Sequence, residues 1–151
     1  MAKQNIDRKI AVIFATDVVG YSKHMESDES ETIHNLRECE SILTKLFSKY
    51  DGRMFNKGGD SFLAEFQSAV SAVECAVEFQ SSIEKRNSSE ATSVKLQFRV
   101  GINSGDVVKE KDNLLGNGVN IASRLEALSQ PNGITVSKVI YDYVKGKTGY
   151  E

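Results

Sequence analysis

Apolar and polar positions run through this chain in two periods. Ile10 to Thr16, IAVIFAT, is an unbroken run of β-formers, the pattern of a central strand covered on both faces, and it ends in Asp17. From about Asp28 to Tyr50 the spacing changes to three and four, which predicts a long helix. Ile33, Leu36, Leu43, Phe47 and Tyr50 form its stripe, Cys39, Ile42 and Leu46 broaden it, and Asp28 and Glu31 have the spacing of a capping box. Asp51 to Phe66, DGRMFNKGGDSFLAEF, predicts a hairpin in which Gly58 and Gly59 supply positive φ and Asp60 stands at the turn. Phe62, Ala64 and Phe66 mark the buried face of its second strand. Ser68 is placed to cap a helix to about Lys85, with Ala69, Ala72, Ala76, Phe79 and Ile83 facing inward, and Asn87 to Thr92 reads as a polar loop.

Beyond the loop, Val94, Leu96, Phe98, Val100 and Ile102 alternate with polar or small residues and predict a strand. Ser104-Gly105 is expected to turn it into a second strand at Asp106-Val107-Val108, with KEKD at 109–112 as another turn. Gly116-Asn117-Gly118 introduces a helix from about Val119 to Leu128. Its expected core face is Ile121, Leu125 and Leu128, so that Asn117, Asn120 and Arg124 converge on another face. Pro131-Asn132-Gly133 is a turn, Ile134 to Val136 a short strand, and Ser137 caps a last helix to about Val144. This order of elements predicts an α+β fold, a mainly antiparallel sheet with helices packed on one face.

Composition narrows the classes of function. With 151 residues, 40% hydrophobic and 26% charged, the chain fits a single domain whose core needs neither disulfide nor metal. A net charge of −2, with no basic run interleaved with aromatics, gives no general attraction for nucleic acid or anionic membranes. No stretch is long and apolar enough to span a membrane and no signal peptide is visible, so the expectation is a cytoplasmic domain or a cytosolic piece of something larger. Cys39 and Cys75 read as buried free thiols, and His24 and His34 as surface or structural residues.

The candidate chemistry sits at two turns. Asp17 ends a buried strand, and Gly20 allows a turn whose successive amides can form an anion-binding concavity beside it. Asp60, taken alone, is an ordinary turn residue. Were the two strands neighbours in the sheet, the two carboxylates would meet, and without histidine or thiolate partners they favour hard ions such as Mg²⁺ or Mn²⁺. Two such ions can serve an in-line displacement at phosphorus.

Four blocks carry a resemblance: FATDVVGYS at 14–22, DGRMFNKGGDSFLAEF at 51–66, FRVGINSGDVV at 98–108 and GNGVNIASRLEAL at 116–128. Together, in this order, they resemble the class III nucleotidyl cyclase catalytic domain of adenylate and guanylate cyclases, closest to bacterial forms and with a ferredoxin-like, palm-like core. The resemblance implies conversion of a nucleoside triphosphate to a 3′,5′-cyclic monophosphate and pyrophosphate, in intracellular signalling. It implies two divalent cations held by Asp17, Asp60 and the Val18 carbonyl, and a triphosphate loop at Val19, Gly20, Tyr21 and Ser22. Asn120 matches the asparagine that orients the ribose, and Arg124 the arginine that stabilises charge on the α-phosphate. A head-to-tail homodimer is implied, each site sharing residues of both subunits. Residues 1–8 are an N-terminal segment in this reading. The family domain covers 9–151 and stops short of the last C-terminal strands, so Lys145 and Lys147 are not given the role of the lysine those strands carry.

The purine-reading positions depart from the family pattern. NKGGD puts Asn56 where adenylate cyclases usually have lysine and shifts Lys57 by one; DNLLG puts Asn113 at the second position. Neither matches the glutamate and cysteine of guanylate cyclases, and an asparagine can donate and accept. ATP is the preferred substrate because similar sequences are mostly assigned to it. A diguanylate cyclase is an alternative suggested by KGGDSF, but Ser61 replaces the acid of that signature and GNGVNIASR has no counterpart there. The other alternative is a non-catalytic, cyclase-like domain that binds nucleotide or mediates dimerisation.

Overall fold

The computed structural model describes residues 6–149. Its sheet is built around β1 (Asp7–Val18), which pairs antiparallel with β3 (Ser61–Phe66) on one side and along its whole length with β4 (Phe98–Glu110) on the other. The strand order is β2-β3-β1-β4-β5, with β2 at Gly52–Gly58 and β5 at Asn113–Leu115; β6 (Ile134–Val136) adds the sole parallel pairing among the described residues, to β4. The expected α+β class and mainly antiparallel sheet are therefore present.

Alternate residues of β1 feed two cores, as a strand covered on both faces requires. Val12, Phe14 and Val18 point into the larger one, beneath α2 (Glu29–Lys49), α3 (Ala69–Asn87) and α5 (Lys138–Val144). Phe14, Phe47 and Phe66 meet there at centroid distances of 5.3 to 5.8 Å. Ala11, Ile13 and Ala15 point into a smaller core under α4 (Asn117–Leu128). Helices on one face thus describes α2, α3 and α5, while α4 crosses the other. Asp28 caps α2 by accepting from the Glu31 N–H, Ser68 caps α3 and Ser137 caps α5. Cys39 and Cys75 are buried free thiols, pushed by burial to about 11 and about 12.

Five expectations need correction. A short helix, α1 (Tyr21–Ser27), follows the first turn, where the sequence pattern showed none. The hairpin turns on Gly59-Asp60, so only Gly59 needs the left-handed conformation (φ 60°), and Gly58 is a strand residue paired with Ser61. Residues 94–97 are not strand, although Leu96 is buried, and Ser104-Gly105 does not turn. Instead β4 runs through it unbroken, because Ala11 pairs with Gly105 and Val12 with Ser104. The glycine has another use: a Cβ at Gly105 would stand 3.2 Å from the Gly118 Cα, and one at Gly101 only 2.3 Å from the Glu126 backbone N. These glycines let α4 lie directly on the sheet. The fifth correction follows from that contact. The small face of α4, Gly118, Val119 and Ala122, is buried with Glu126, whereas Ile121 and Leu125 are half-buried and Leu128 is 76% exposed. Among the described residues no helix is long and apolar enough to cross a membrane.

Candidate active site

The antiparallel register of β1 with β3 brings the two aspartates together. Thr16 pairs with Phe62, so the Gly59-Asp60 turn projects over Asp17 and Val18, and the Val18 N–H donates to the Asp60 Oδ2 at 3.2 Å. Burial pushes the Asp60 carboxyl above its ordinary value; the Val18 and Asp60 N–H groups oppose this, and the nearby charge of Asp17 adds to it. Both side chains are half-buried. Two hard carboxylates brought together in this way fit a divalent cation between them. No group of three or more His, Cys, Asp or Glu side chains suited to a metal occurs among the described residues, so a cation here rests on these two carboxylates and backbone oxygen.

Two residues of this site lie inside the family-like blocks at 98–108 and 116–128, where residue type and spacing alone gave them no role. Arg99, paired with Asp17 across β1 and β4, grips its carboxylate with two bonds, Nε to Oδ1 at 3.1 Å and Nη2 to Oδ2 at 2.9 Å. Its Nη1 also donates to the Ala127 carbonyl at 3.1 Å, and its Nη2 lies 3.5 Å from the Glu126 Oε2. Glu126 is buried, and burial first, then hydrogen bonding and charge from Asp17, push its carboxyl up to about 8 against the pull of Arg99. Only the strand register brings Arg99 to Asp17, 82 residues away in sequence, and only the glycine contacts bring α4 down onto them.

The loop after Asp17 is a turn at Val19-Gly20, with Gly20 left-handed at φ 63° and its carbonyl accepting from the Lys23 and His24 N–H groups. The Val19 N–H is already committed to the Gln97 carbonyl at 2.8 Å. Tyr21 packs on the larger core and Ser22 is exposed.

Asn120 and Arg124 are exposed on α4, and neither bonds to Asp17 or Asp60. At 100° per residue Arg124 lies about 200° around the helix from Glu126, which faces the sheet, so Arg124 points outward. Asn56 and Asn113 do come together, Nδ2 to Oδ1 at 3.5 Å, and the Asn113 Oδ1 also accepts from the Leu114 N–H at 3.0 Å. Lys57 does not join them. Its ammonium pairs with Glu40 of α2 at 2.8 Å, because successive strand residues point to opposite faces.

Comparison with known proteins identifies the family. The profile of the adenylate and guanylate cyclase catalytic domain matches residues 1–151. A putative adenylate cyclase 3 of Rhizobium meliloti (strain 1021) is 43% identical over 150 residues, 98% of this chain and 25% of the relative. The structure of an adenylate/guanylate cyclase/hydrolase from Silicibacter pomeroyi superposes with a TM-score of 0.89 at 31% identity, covering 97% of this chain and 86% of the other. The adenylyl cyclase CyaB from P. aeruginosa superposes with a TM-score of 0.83 at 25% identity, covering 95% and 84%. This chain belongs to the adenylate and guanylate cyclase catalytic-domain family. It spans about a quarter of the length of its Rhizobium relative.

Proposed function

We propose that the chain is the catalytic domain of a nucleotidyl cyclase that converts ATP to 3′,5′-cyclic AMP and pyrophosphate, working as a head-to-tail homodimer with two divalent cations, Mg²⁺ or Mn²⁺. The observation that carries the reading is the meeting of Asp17 and Asp60 at the end of β1 while Asn120 and Arg124 stand on the outward face of α4. Asp17, Asp60 and the Val18 carbonyl hold the cations. When bound, these supply Lewis acidity at the triphosphate and lower the pKa of the ribose 3′-hydroxyl. The turn at Gly20 leaves the Gly20, Tyr21 and Ser22 amides to receive phosphate oxygens. Asn120 of the second subunit orients the ribose so that O3′ lies in line with the α-phosphorus. Arg124 of the same subunit donates to the α-phosphate as charge builds there, an interaction stronger in the transition state than in the ground state. The 3′-hydroxyl gives its proton to solvent, the O3′–P bond forms, the bond to the β-phosphate oxygen breaks, and pyrophosphate leaves.

ATP is favoured by the adenylate cyclase names of the relatives. GTP is a second reading, favoured by the Asn56–Asn113 pair, which offers an acceptor at the Asn56 Oδ1 and donors at the Asn113 Nδ2 to either purine edge. Incubation with ATP or GTP and Mn²⁺, followed by product chromatography, is expected to yield cyclic AMP in excess. Cyclic GMP in excess reverses the choice of base. No cyclic mononucleotide from either, in protein carrying any flanking sequence its gene encodes, rejects the enzymatic reading in favour of a non-catalytic domain.

A further inference from the structure

Arg99 makes three attachments that no other side chain of the site combines. It grips both carboxylate oxygens of Asp17 on β1, donates to the Ala127 carbonyl and lies against the Glu126 carboxyl group, both at the end of α4. Its own side chain is only 27% exposed, so water does little to screen these bonds. The helix it holds is the one that carries Asn120 and Arg124, and Gly101 and Gly105 keep that helix close enough for the strap to reach.

A cation at Asp17 needs the same oxygens that Arg99 occupies. We propose that Arg99 is a metal-responsive positioning residue, which competes with the divalent cation for the Asp17 carboxylate and, on being displaced, shifts the C-terminal turn of α4. The inference rests on Asp17 being a metal ligand in the function proposed above. In the head-to-tail dimer the consequence is communication between sites, because α4 of one subunit serves the site whose aspartates belong to the other. Cation uptake at one site thereby reaches the Asn120 and Arg124 that work at the second.

The test measures metal binding and Arg99 itself, apart from turnover. Mn²⁺ affinity is read by electron paramagnetic resonance or calorimetry for the wild type, Asp17→Asn, Arg99→Gln and Arg99→Lys, each checked for native circular dichroism. Removing a cation beside the ion and freeing two ligand oxygens is expected to tighten Mn²⁺ binding at least about tenfold in Arg99→Gln, with Arg99→Lys between it and the wild type. In parallel, the Arg99 Nε–H resonance of the wild type is expected to move on saturation with Mg²⁺ and to stay fixed in Asp17→Asn, while that of Arg53, bound to Glu65, stays fixed in both. Wild-type binding that does not depend on Asp17 removes the metal reading and this inference with it. Asp17-dependent binding that Arg99→Gln leaves unchanged or weakens, or an Arg99 resonance that ignores Mg²⁺, overturns this inference alone. Should Arg99→Gln fail to fold, the resonance and Arg99→Lys decide.

Discussion

Gly101 and Gly59 are both glycines, yet they answer to different forces. At Gly101 the constraint is space: a methyl group there would overlap the Glu126 backbone N and the Ala122 carbonyl, 2.3 and 2.5 Å away. Both neighbours are helix backbone and cannot rotate aside, so Gly101→Ala must lift α4 off the sheet. We expect a loss of about 3 kcal/mol or more, with activity falling further than stability because Glu126 and Arg99 lose register. At Gly59 there is open space, and the constraint is its φ of 60°. Gly59→Ala should cost only about 1 kcal/mol and leave the sheet intact. Denaturant melts of the two variants check the contrast, and equal losses would mean that α4 does not rest on β4 as described.

Glu65 shows what strand pairing decides that a hydrophobic pattern does not. It lies on β3 opposite Arg53 of β2, and bonds to the Arg53 Nε at 2.8 Å and the Lys9 Nζ at 2.9 Å while only 11% of its side chain is exposed. Burial alone would raise its carboxyl, but the two cations outweigh this and hold it below the usual 4.5. A depressed folded value means stability that is present above the unfolded value and is lost as pH falls through the folded one. Glu65→Gln should therefore cost about 1–3 kcal/mol at pH 7 and far less near pH 3, as urea melts at the two pH values would reveal; an equal cost at both would refute an ionic role. The same limit on local pattern explains which elements were legible in the sequence. β1, α2, α3, β6 and α5 follow from apolar period and capping residues alone. The unbroken β4 does not, because Ser104-Gly105 reads locally as a turn and is held extended by its ladder to β1. The inward face of α4 was misassigned for a related reason: tight glycine packing chose the small residues over the larger Ile121, Leu125 and Leu128. Asp17 and Asp60 were visible as candidates, whereas their partner Arg99 was hidden in an alternating strand until the register placed it.

The stripe that packing turned outward leads to the assembly. Leu128 is exposed and Ile121 and Leu125 are half-buried, on the side of the molecule where α4 covers the sheet. An apolar surface of this kind beside Asn120 and Arg124 suits a second copy of the chain. Leu128→Asp should weaken self-association in sedimentation while leaving the monomer melt nearly unchanged, since the side chain is 76% exposed; an unaltered oligomeric state would place the interface elsewhere. The sharper consequence concerns activity. Within one chain Arg124 points away from its own Asp17, whose charge is met by Arg99, so the site proposed above would draw Arg124 from another chain. Asp17→Ala and Arg124→Ala proteins should each be close to inactive, the arginine variant having lost roughly 10²–10³ in kcat. Mixed, they form heterodimers in which one site has lost both residues and the other has lost neither. With random exchange of equal amounts, about half of the dimers are mixed and each holds one intact site, so activity should return to roughly a quarter of the wild-type level, a statistical ceiling set by the shared-site geometry. Recovery measured after exchange is verified by differential mass labels tests this directly. Verified heterodimers without recovered activity would show that the two halves of the site are not joined across subunits.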